Sequence, residues 1–222
     1  RDRAQAGGGR PAPAVAREPG RRDLRRPVDP SAGGPALLRQ RRADLPDLDS
    51  NGRGAIAVST VRTALVTGAG SGIGKATALQ LAELGAYLII TDLNPDSLEL
   101  TAVETRQLGA AGVDTHVVDV SDWDDMQAMA IKVRKQHSAL DVLINNAGVG
   151  LAGDFLSTTV EDWQWILSIN VMGVVHGCKL FAPDMITNGR GHIVNLASVA
   201  GYYAAPDMSA YSASKHAVLG MS

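Results

Sequence analysis

Five short apolar runs alternate with helix-forming segments from residue 61 to the end of the chain, and this alternation constrains the fold most. The runs predict strands over residues 61–66, 87–91, 113–118, 140–144 and 192–196. Strands that are apolar along their whole length belong in a parallel sheet that helices cover on both faces. Because crossovers between parallel strands are right-handed, the sequence predicts a doubly wound α/β domain with strand order 3-2-1-4-5.

The segments between these runs carry the signals that begin helices. Asn94 followed by Pro95 predicts an N-cap with proline at the first helical position. Ser121 or Asp122 is expected to begin the next helix, and a long helical region is predicted over residues 160–186.

Residues 1–58 differ in composition from residues 59–222, and we expect them to form a disordered extension ahead of a single domain. Residues 1–53 hold 12 of the 21 basic residues, all of them arginine, 7 of the 23 acidic residues and 7 of the 10 prolines, and no aromatic residue. Such a segment buries too little apolar surface to offset the entropy lost on ordering. The alternatives are a nucleic-acid-binding arm, which the acidic residues and the lack of aromatic residues disfavour, a transit peptide, a linker and translated non-coding sequence.

Composition also limits the class of protein. No uninterrupted apolar run approaches the roughly 20 residues that cross a bilayer, so the sequence predicts no membrane span. The single cysteine, Cys178, fits a reducing compartment, and we expect a cytoplasmic protein. The histidines lack the spacing of metal ligands, so no metal site is predicted.

A glycine-rich turn, TGAGSGIG, joins the first predicted strand to the first predicted helix. Its glycines allow a tight turn, a close approach of the backbone to a pyrophosphate and close packing of helix on strand. The N-terminus of that helix offers free N–H groups and partial positive charge to phosphates. We therefore predict that a dinucleotide binds here. The predicted contacts in the turn are Gly68, Ser71, Gly72, Ile73 and Gly74.

Asp92 ends the second predicted strand, 24 residues after Gly68. A carboxylate at this position accepts hydrogen bonds from the ribose hydroxyls of an adenosine and repels a 2′-phosphate. The neighbouring positions that could bind a phosphate, Gly70, Ser71 and Leu93, carry no cation. The sequence thus favours NAD(H), with NADP(H) as the less favoured alternative.

Tyr211 and Lys215 lie four residues apart in the sequence YSASK, on one face of a predicted helix. Ser198 follows the fifth predicted strand, and Asn170 lies in the long helical region. The fourth predicted strand ends in NNAG, at residues 145–148. These motifs lie at the carboxyl ends of strands or in the following helices, where ligands bind in doubly wound sheets.

The chain from about residue 60 resembles the short-chain dehydrogenase/reductases, a family of oxidoreductases with a Rossmann-type fold. The combination of motifs is specific for the family and says little about the substrate. The resemblance covers nearly all of residues 61–222 and depends on TGAGSGIG, Asp119 with Val120, NNAG, Asn170, and Ser198 with YSASK.

The resemblance implies a role for each catalytic residue. Tyr211 would exchange a proton with the substrate oxygen. A free phenol loses its proton only near pH 10, so Lys215 one turn away, together with the positive nicotinamide, would favour the phenolate near neutral pH. Lys215 would also bind the nicotinamide ribose. Ser198 would hold the carbonyl oxygen, and Asn170 would hold a water that passes protons from Lys215 to solvent.

Further contacts follow from the same resemblance. Asp119 would bind the adenine amino group beside Val120, and Asn145 and Gly148 would border the adenosine. Residues 201–208 (GYYAAPDM) would border a mainly apolar pocket, which favours a secondary alcohol or ketone with an apolar body. Carbohydrate and acyl-carrier substrates stay open as alternatives.

Members of this family continue beyond the equivalent of Ser222 with a sixth strand, a substrate-covering loop and further helices. We therefore expect a domain truncated after the fifth strand and part of the following helix, with the fifth strand as an unpaired edge. This chain alone is expected to have little activity, whereas an extended chain would reduce carbonyls with NADH as a homodimer or tetramer. The alternative is an inactive fragment that only binds a nucleotide or a partner.

Overall fold

The computed structural model describes residues 63–222, which form a five-stranded, all-parallel sheet flanked by helices. The strand order is β3-β2-β1-β4-β5, so the predicted doubly wound class and strand order are confirmed. The predicted extension, residues 1–58, lies outside the described residues. The strands are β1 (Thr63–Thr67), β2 (Tyr87–Asp92), β3 (Gly112–Val117), β4 (Val142–Asn145) and β5 (His192–Asn195).

Helices connect successive strands, and two of them begin where the sequence predicts. Asn94 caps α2 by accepting hydrogen bonds from the N–H groups of Asp96 and Ser97, and Asp122 caps α3 in the same way. The α-helices are α1 (Gly72–Glu83), α2 (Pro95–Gln107), α3 (Trp123–Gln136), α4 (Val160–Leu167), α5 (Gly173–Thr187) and α6 (Ser209–Met221).

Two irregular elements complete the described part of the chain. A π-helical segment, Ser168–Met172, joins α4 to α5, so the long helical region predicted from the sequence contains one wide turn. A short 3₁₀ turn, Val199–Gly201, follows β5. π-Helical turns such as Ser168–Met172 are rare and are often found at functional sites.

Each face of the sheet buries its own apolar cluster, because successive side chains of a strand point to opposite faces. In β1, Leu65 packs with Phe181 of α5 on one face. Ala64 and Val66 pack with Leu98 of α2 on the other. Burying a side chain of leucine size contributes roughly 1.5–3 kcal/mol, so the two clusters hold the sheet between its helices.

One helical run within residues 63–222 is long and apolar enough to cross a membrane by length and composition alone, namely Val160–Thr187. In the described structure 44% of its most apolar window is buried against the rest of the domain. Two polar side chains on it, Asn170 and His176, are buried and hydrogen-bonded to loops of the sheet. Packing inside the domain therefore accounts for part of its apolar character.

Candidate functional site

A cavity of about 750 Å³ lies at the carboxyl ends of the strands, where the sequence predicts a ligand. This volume is within the range of roughly 300–1,000 Å³ that holds small molecules and cofactors. The cavity brings together side chains that are far apart in the sequence. Its wall contains ten of the predicted site residues: Gly68, Ser71, Gly72, Ile73, Asp92, Asp119, Val120, Gly148, Tyr211 and Lys215.

The glycine-rich turn adopts backbone conformations that favour glycine. Gly68 has a φ of 65° and Gly72 a φ of 52°, both in the left-handed region. Gly74 lies behind the cavity wall, where a Cβ atom would come within 2.1 Å of the Gly68 carbonyl oxygen. Ser71, the N-cap of α1, makes no side-chain capping bond, which leaves the first N–H groups of the helix available to a ligand.

Asp92 is fixed by the turn that it faces. Its Oδ2 atom accepts a hydrogen bond from the N–H of Gly70 at 2.8 Å, and its Oδ1 atom accepts from the N–H of Asn94 at 3.0 Å. A Cβ atom at position 70 would approach the carboxylate to 2.8 Å, so the glycine permits this contact. Lys75, on α1, forms an ion pair with Glu104 at 2.7 Å, and its charge is thereby already partnered.

The loop between β3 and α3 presents Asp119 and Val120 to the cavity. The Oδ1 atom of Asp119 accepts from the N–H of Ser121 at 2.8 Å and from its hydroxyl at 2.7 Å. The N–H of Asp119 donates to the carboxylate of Asp125 at 2.8 Å. These contacts hold the loop in one shape, with a carboxylate in the cavity wall.

The two asparagines of NNAG have different positions. Asn145, the last residue of β4, is buried outside the cavity and donates to Asn195 Oδ1 at 2.8 Å. The structure therefore does not bring Asn145 into the cavity, although the sequence places it beside the adenosine. Asn146 lines the cavity instead.

The sequence analysis missed Asn146, which lines the cavity, and the buried Thr67, which lies behind the wall and holds it. The Asn146 amide donates to the carbonyl oxygens of Thr67 at 2.8 Å and Gly68 at 3.1 Å. The Thr67 hydroxyl oxygen accepts from the N–H groups of Asn146 and Ala147, both at 3.0 Å. The alternation of side chains along a strand is the signal that separates Asn146 from its neighbour Asn145.

Tyr211 and Lys215 both reach the cavity from α6. The Lys215 ammonium donates to the Leu196 carbonyl oxygen at 2.7 Å and lies 5.9 Å from the centre of the Tyr211 ring. Lys215 is only 6% exposed, and this burial lowers its pKa below the ordinary value. The Tyr211 hydroxyl has no hydrogen-bond partner among residues 63–222, so it is free to meet a ligand.

Asn170 lies behind the cavity wall, in the π-helical segment. Its Oδ1 atom accepts from the Val149 N–H at 2.8 Å, and its Nδ2 atom donates to the Val149 carbonyl oxygen at 2.9 Å. The same Nδ2 atom donates to the hydroxyl of Ser214 at 3.0 Å. Asn170 thus joins the loop after β4 to the helix that carries Tyr211 and Lys215.

Ser198 lies next to the cavity wall, which ends at Ala197 in this part of the chain. It is the N-cap of the 3₁₀ turn, and its Oγ atom accepts from the Ala200 N–H at 3.1 Å. The structure therefore does not place Ser198 with Tyr211 and Lys215 in the cavity wall.

Comparison with known proteins gives consistent matches over the described domain. A family model described as short chain dehydrogenase matches residues 62–222. The protein named "Probable oxidoreductase EphD" of Mycobacterium tuberculosis is 42% identical over 153 residues, which cover 68% of this chain and 26% of that protein. The 3-oxoacyl-[acyl-carrier-protein] reductase FabG of Thermotoga maritima is 38% identical over 160 residues, or 72% of this chain and 65% of that protein.

Solved structures show the same similarity. A short-chain dehydrogenase/reductase of Burkholderia phymatum in complex with NAD has a TM-score of 0.69 and 42% identity, and the match covers 72% of this chain and 57% of that one. A metagenomic short-chain oxidoreductase in complex with NADP has a TM-score of 0.71 and 35% identity, with 74% of each chain covered. The chain spans between a quarter and two thirds of the length of the two curated relatives described here.

Proposed function

Because the chain belongs to the short-chain dehydrogenase family, we propose that it is an oxidoreductase that transfers a hydride between NAD(H) and a secondary alcohol or ketone. The observation that supports this most is that Tyr211 and Lys215 line the same cavity as the glycine-rich turn. A proton-transfer group and a phosphate-binding turn would then act on a substrate and a cofactor bound side by side in one cavity.

The residues around the cavity fit a dinucleotide. The turn at Gly68 and Gly72 exposes the N-terminus of α1, which suits the negative charge of a pyrophosphate. Asp92 would accept hydrogen bonds from the adenosine ribose, and Asp119 from the adenine amino group. Lys215 lies in the wall on α6, where the nicotinamide ribose would bind, and Gly148 lines the same cavity, where we keep it as a neighbour of the adenosine. The bound nicotinamide supplies or accepts the hydride.

The protein contributes the proton and the orientation of the substrate. The Tyr211 phenol oxygen would donate its proton to the substrate oxygen during reduction and remove it during oxidation. The buried Lys215 ammonium would stabilise the phenolate electrostatically, since a low local dielectric strengthens interactions between charges. We keep Ser198 as the group that holds the carbonyl oxygen and Asn170 as part of the proton path to solvent.

The charges around the ribose support NAD(H) over NADP(H). The Asp92 carboxylate would repel a 2′-phosphate, and the pairing of Lys75 with Glu104 removes one cation that could attract it. Relatives with NAD and with NADP have both been solved, so this preference depends on the residues of this chain.

An apolar substrate is supported by side chains around the cavity. Val149, Ile169 and Met208 line it, and Tyr202 and Tyr203 are 72% and 73% exposed on the adjoining segment. A similar relative, FabG, is named as a reductase of 3-oxoacyl groups, which combine a ketone with an apolar chain. We propose a substrate of that general kind, a ketone or secondary alcohol on an apolar body.

Assembly and compartment are also part of the proposal. Several large apolar side chains on the helical run around Asn170 are exposed, including Trp165, Met172 and Ile186. Exposed apolar side chains of this kind suit pairing with a second copy, so we propose a homo-oligomer. The single cysteine supports the cytoplasm as its compartment.

The proposal is tested by measuring reduction of apolar ketones with NADH by the protein, including any residues that follow Ser222 in its natural sequence. We expect turnover that Tyr211→Phe lowers at least about a hundredfold, because a positioned acid–base group contributes about 10²–10⁴-fold. NADH binding should persist in the variant, which separates loss of chemistry from loss of the cofactor site.

The matched control is Tyr87→Phe. Tyr87 is the first residue of β2, at the opposite end of the sheet from the cavity, and its hydroxyl donates to Asp114 at 3.0 Å. The turnover of Tyr87→Phe per folded molecule should equal that of the wild type. Equal turnover of Tyr211→Phe and the wild type would contradict the assigned acid–base role.

A further inference from the structure

His176 is a buried histidine on α5 to which the sequence assigns no role. The residue is 7% exposed, and its Nδ1 atom lies 2.9 Å from the carbonyl oxygen of Val120. A carbonyl oxygen can only accept a hydrogen bond, so Nδ1 carries the hydrogen in this contact. The contact joins α5 to the loop that presents Asp119 and Val120 to the cavity.

Two further contacts place Val120 and the nearby Trp123 against the same part of α5. Gly173 lies one turn before His176, and a Cβ atom there would come within 2.9 Å of Val120 Cγ2. The ring of Trp123, at the start of α3, packs edge-on against the His176 ring with 5.2 Å between centroids. Gly173 and His176 thus form the surface of α5 against which Val120 packs.

The internal hydrogen bonds of the loop do not fix its position relative to this helix. Asp119 bonds to Ser121, Asp122 and Asp125, all of which belong to the loop or to the helix that it begins. The bond from His176 comes from a different helix, which packs against β4 and α3. Without the bond from His176, the Val120 carbonyl oxygen would lose this donor. Val120 is only 7% exposed, so the loss would be costly.

We propose that His176 is a positioning residue for cofactor binding, which holds the Asp119–Val120 loop in the conformation that receives the adenine ring. The inference rests on the proposed function, since it assumes that this part of the cavity binds the adenosine half of the cofactor. His176 acts through Val120 and does not itself line the cavity.

The test compares three variants of the full chain in binding titrations. His176→Asn keeps an N–H donor near the position of Nδ1, His176→Gln moves the donor one bond further out, and His176→Ala removes it. The probes are NADH, ADP-ribose, which lacks the nicotinamide, and reduced nicotinamide mononucleotide, which lacks the adenosine. His192→Asn, at an exposed histidine at the start of β5, is the matched control.

We expect His176→Ala and His176→Gln to bind NADH and ADP-ribose about tenfold more weakly than the wild type, because binding must then restore the loop conformation that a hydrogen bond of about this size otherwise holds. His176→Asn should recover most of the affinity. Binding of the mononucleotide should not change in any variant, whereas a general loss of packing would weaken all three ligands equally.

Three results would overturn the inference: unchanged affinity of His176→Ala for ADP-ribose, an equal loss for the mononucleotide, or equal behaviour of the asparagine and glutamine variants. Loss of folding in all three variants would also overturn it, since His176 would then serve the fold alone. Failure of the wild type to bind both NADH and ADP-ribose is a different result, which contradicts the proposed function itself.

Discussion

The side chain of Asn170 pairs with the backbone of Val149 through two hydrogen bonds, one accepted from the N–H at 2.8 Å and one donated to the carbonyl oxygen at 2.9 Å. This pairing is the one that a neighbouring strand would make with Val149. It holds the loop after β4 in a fixed position beside α6, so the geometry of the cavity depends on a residue outside its wall.

Replacing Asn170 should therefore destabilise the fold. Asn170→Leu fills similar space but leaves both polar groups of Val149 and the Ser214 hydroxyl without this partner. We expect the free energy of unfolding to fall by about 2–4 kcal/mol, because each unpaired buried group costs roughly 1–3 kcal/mol. Urea unfolding measures the loss. Asn188→Leu, at an exposed residue after α5, is the control and should change stability by less than about 1 kcal/mol.

Gly74→Ala tests the close packing of α1 on the turn. Its methyl group would lie 2.1 Å from the Gly68 carbonyl oxygen and 2.4 Å from the Asn146 amide nitrogen, so the backbone has to move. We expect lower stability and weaker NADH binding. Gly220→Ala makes the same change in α6, where no atom lies within 4 Å, and should stabilise the protein by up to about 1 kcal/mol. Similar effects of the two substitutions would contradict the steric explanation.

Asp92→Asn tests the choice of cofactor. The variant keeps an oxygen that can accept one of the two N–H bonds made to Asp92 but lacks the negative charge. We expect the ratio of NADPH to NADH affinity to rise about tenfold or more, because repulsion of the 2′-phosphate is removed. Fluorescence titration with both cofactors measures the ratio. Asp96→Asn removes an exposed charge four residues away, and a similar rise there would point to a long-range charge effect instead.

Lys215 should make stability depend on pH. Burial lowers its pKa below the ordinary value of 10.5, so on raising the pH the folded protein releases this proton before the unfolded chain does. Between the two pKa values the unfolded chain binds more protons, and the contribution of Lys215 to stability rises with pH until about 10.5. Below the folded-state pKa both states are charged and this contribution is constant.

The pH effect is measured as the difference in unfolding free energy between the wild type and Lys215→Met from pH 7 to pH 10. We expect the unfolding free energy of the wild type to rise relative to that of the variant in the alkaline part of this range. Lys179→Met, at an exposed lysine, is the control for replacing a lysine in general. A difference in unfolding free energy that stays constant, or that falls with increasing pH, would show that burying the charged form of Lys215 does not destabilise the folded protein.

The helix starts were predictable because their signals are local, whereas the strand order followed from the general rules for doubly wound sheets. Asn94 and Asp122 cap helices through N–H groups two and three residues away, so a short window of sequence contains the whole interaction. The glycine-rich turn is recognisable for the same reason, since the strand, the turn and the helix are contiguous.

The features that the sequence did not predict depend on distant partners. The bonds of Asn170 reach 21 and 44 residues along the chain, and the bond of His176 to Val120 spans 56 residues. The hydrophobic periodicity of a sequence does not indicate contacts between residues so far apart. Asn145 differs, because side chains of adjacent residues in extended backbone point to opposite sides, so Asn145 and Asn146 at the end of β4 are expected to point apart.

The Thr67 hydroxyl oxygen, which accepts from two N–H groups of the segment after β4, has a consequence for the rigidity of the site. It ties the end of β1, where the glycine-rich turn begins, to the first residues after β4, so a displacement of one against the other would break two hydrogen bonds that share a single buried acceptor.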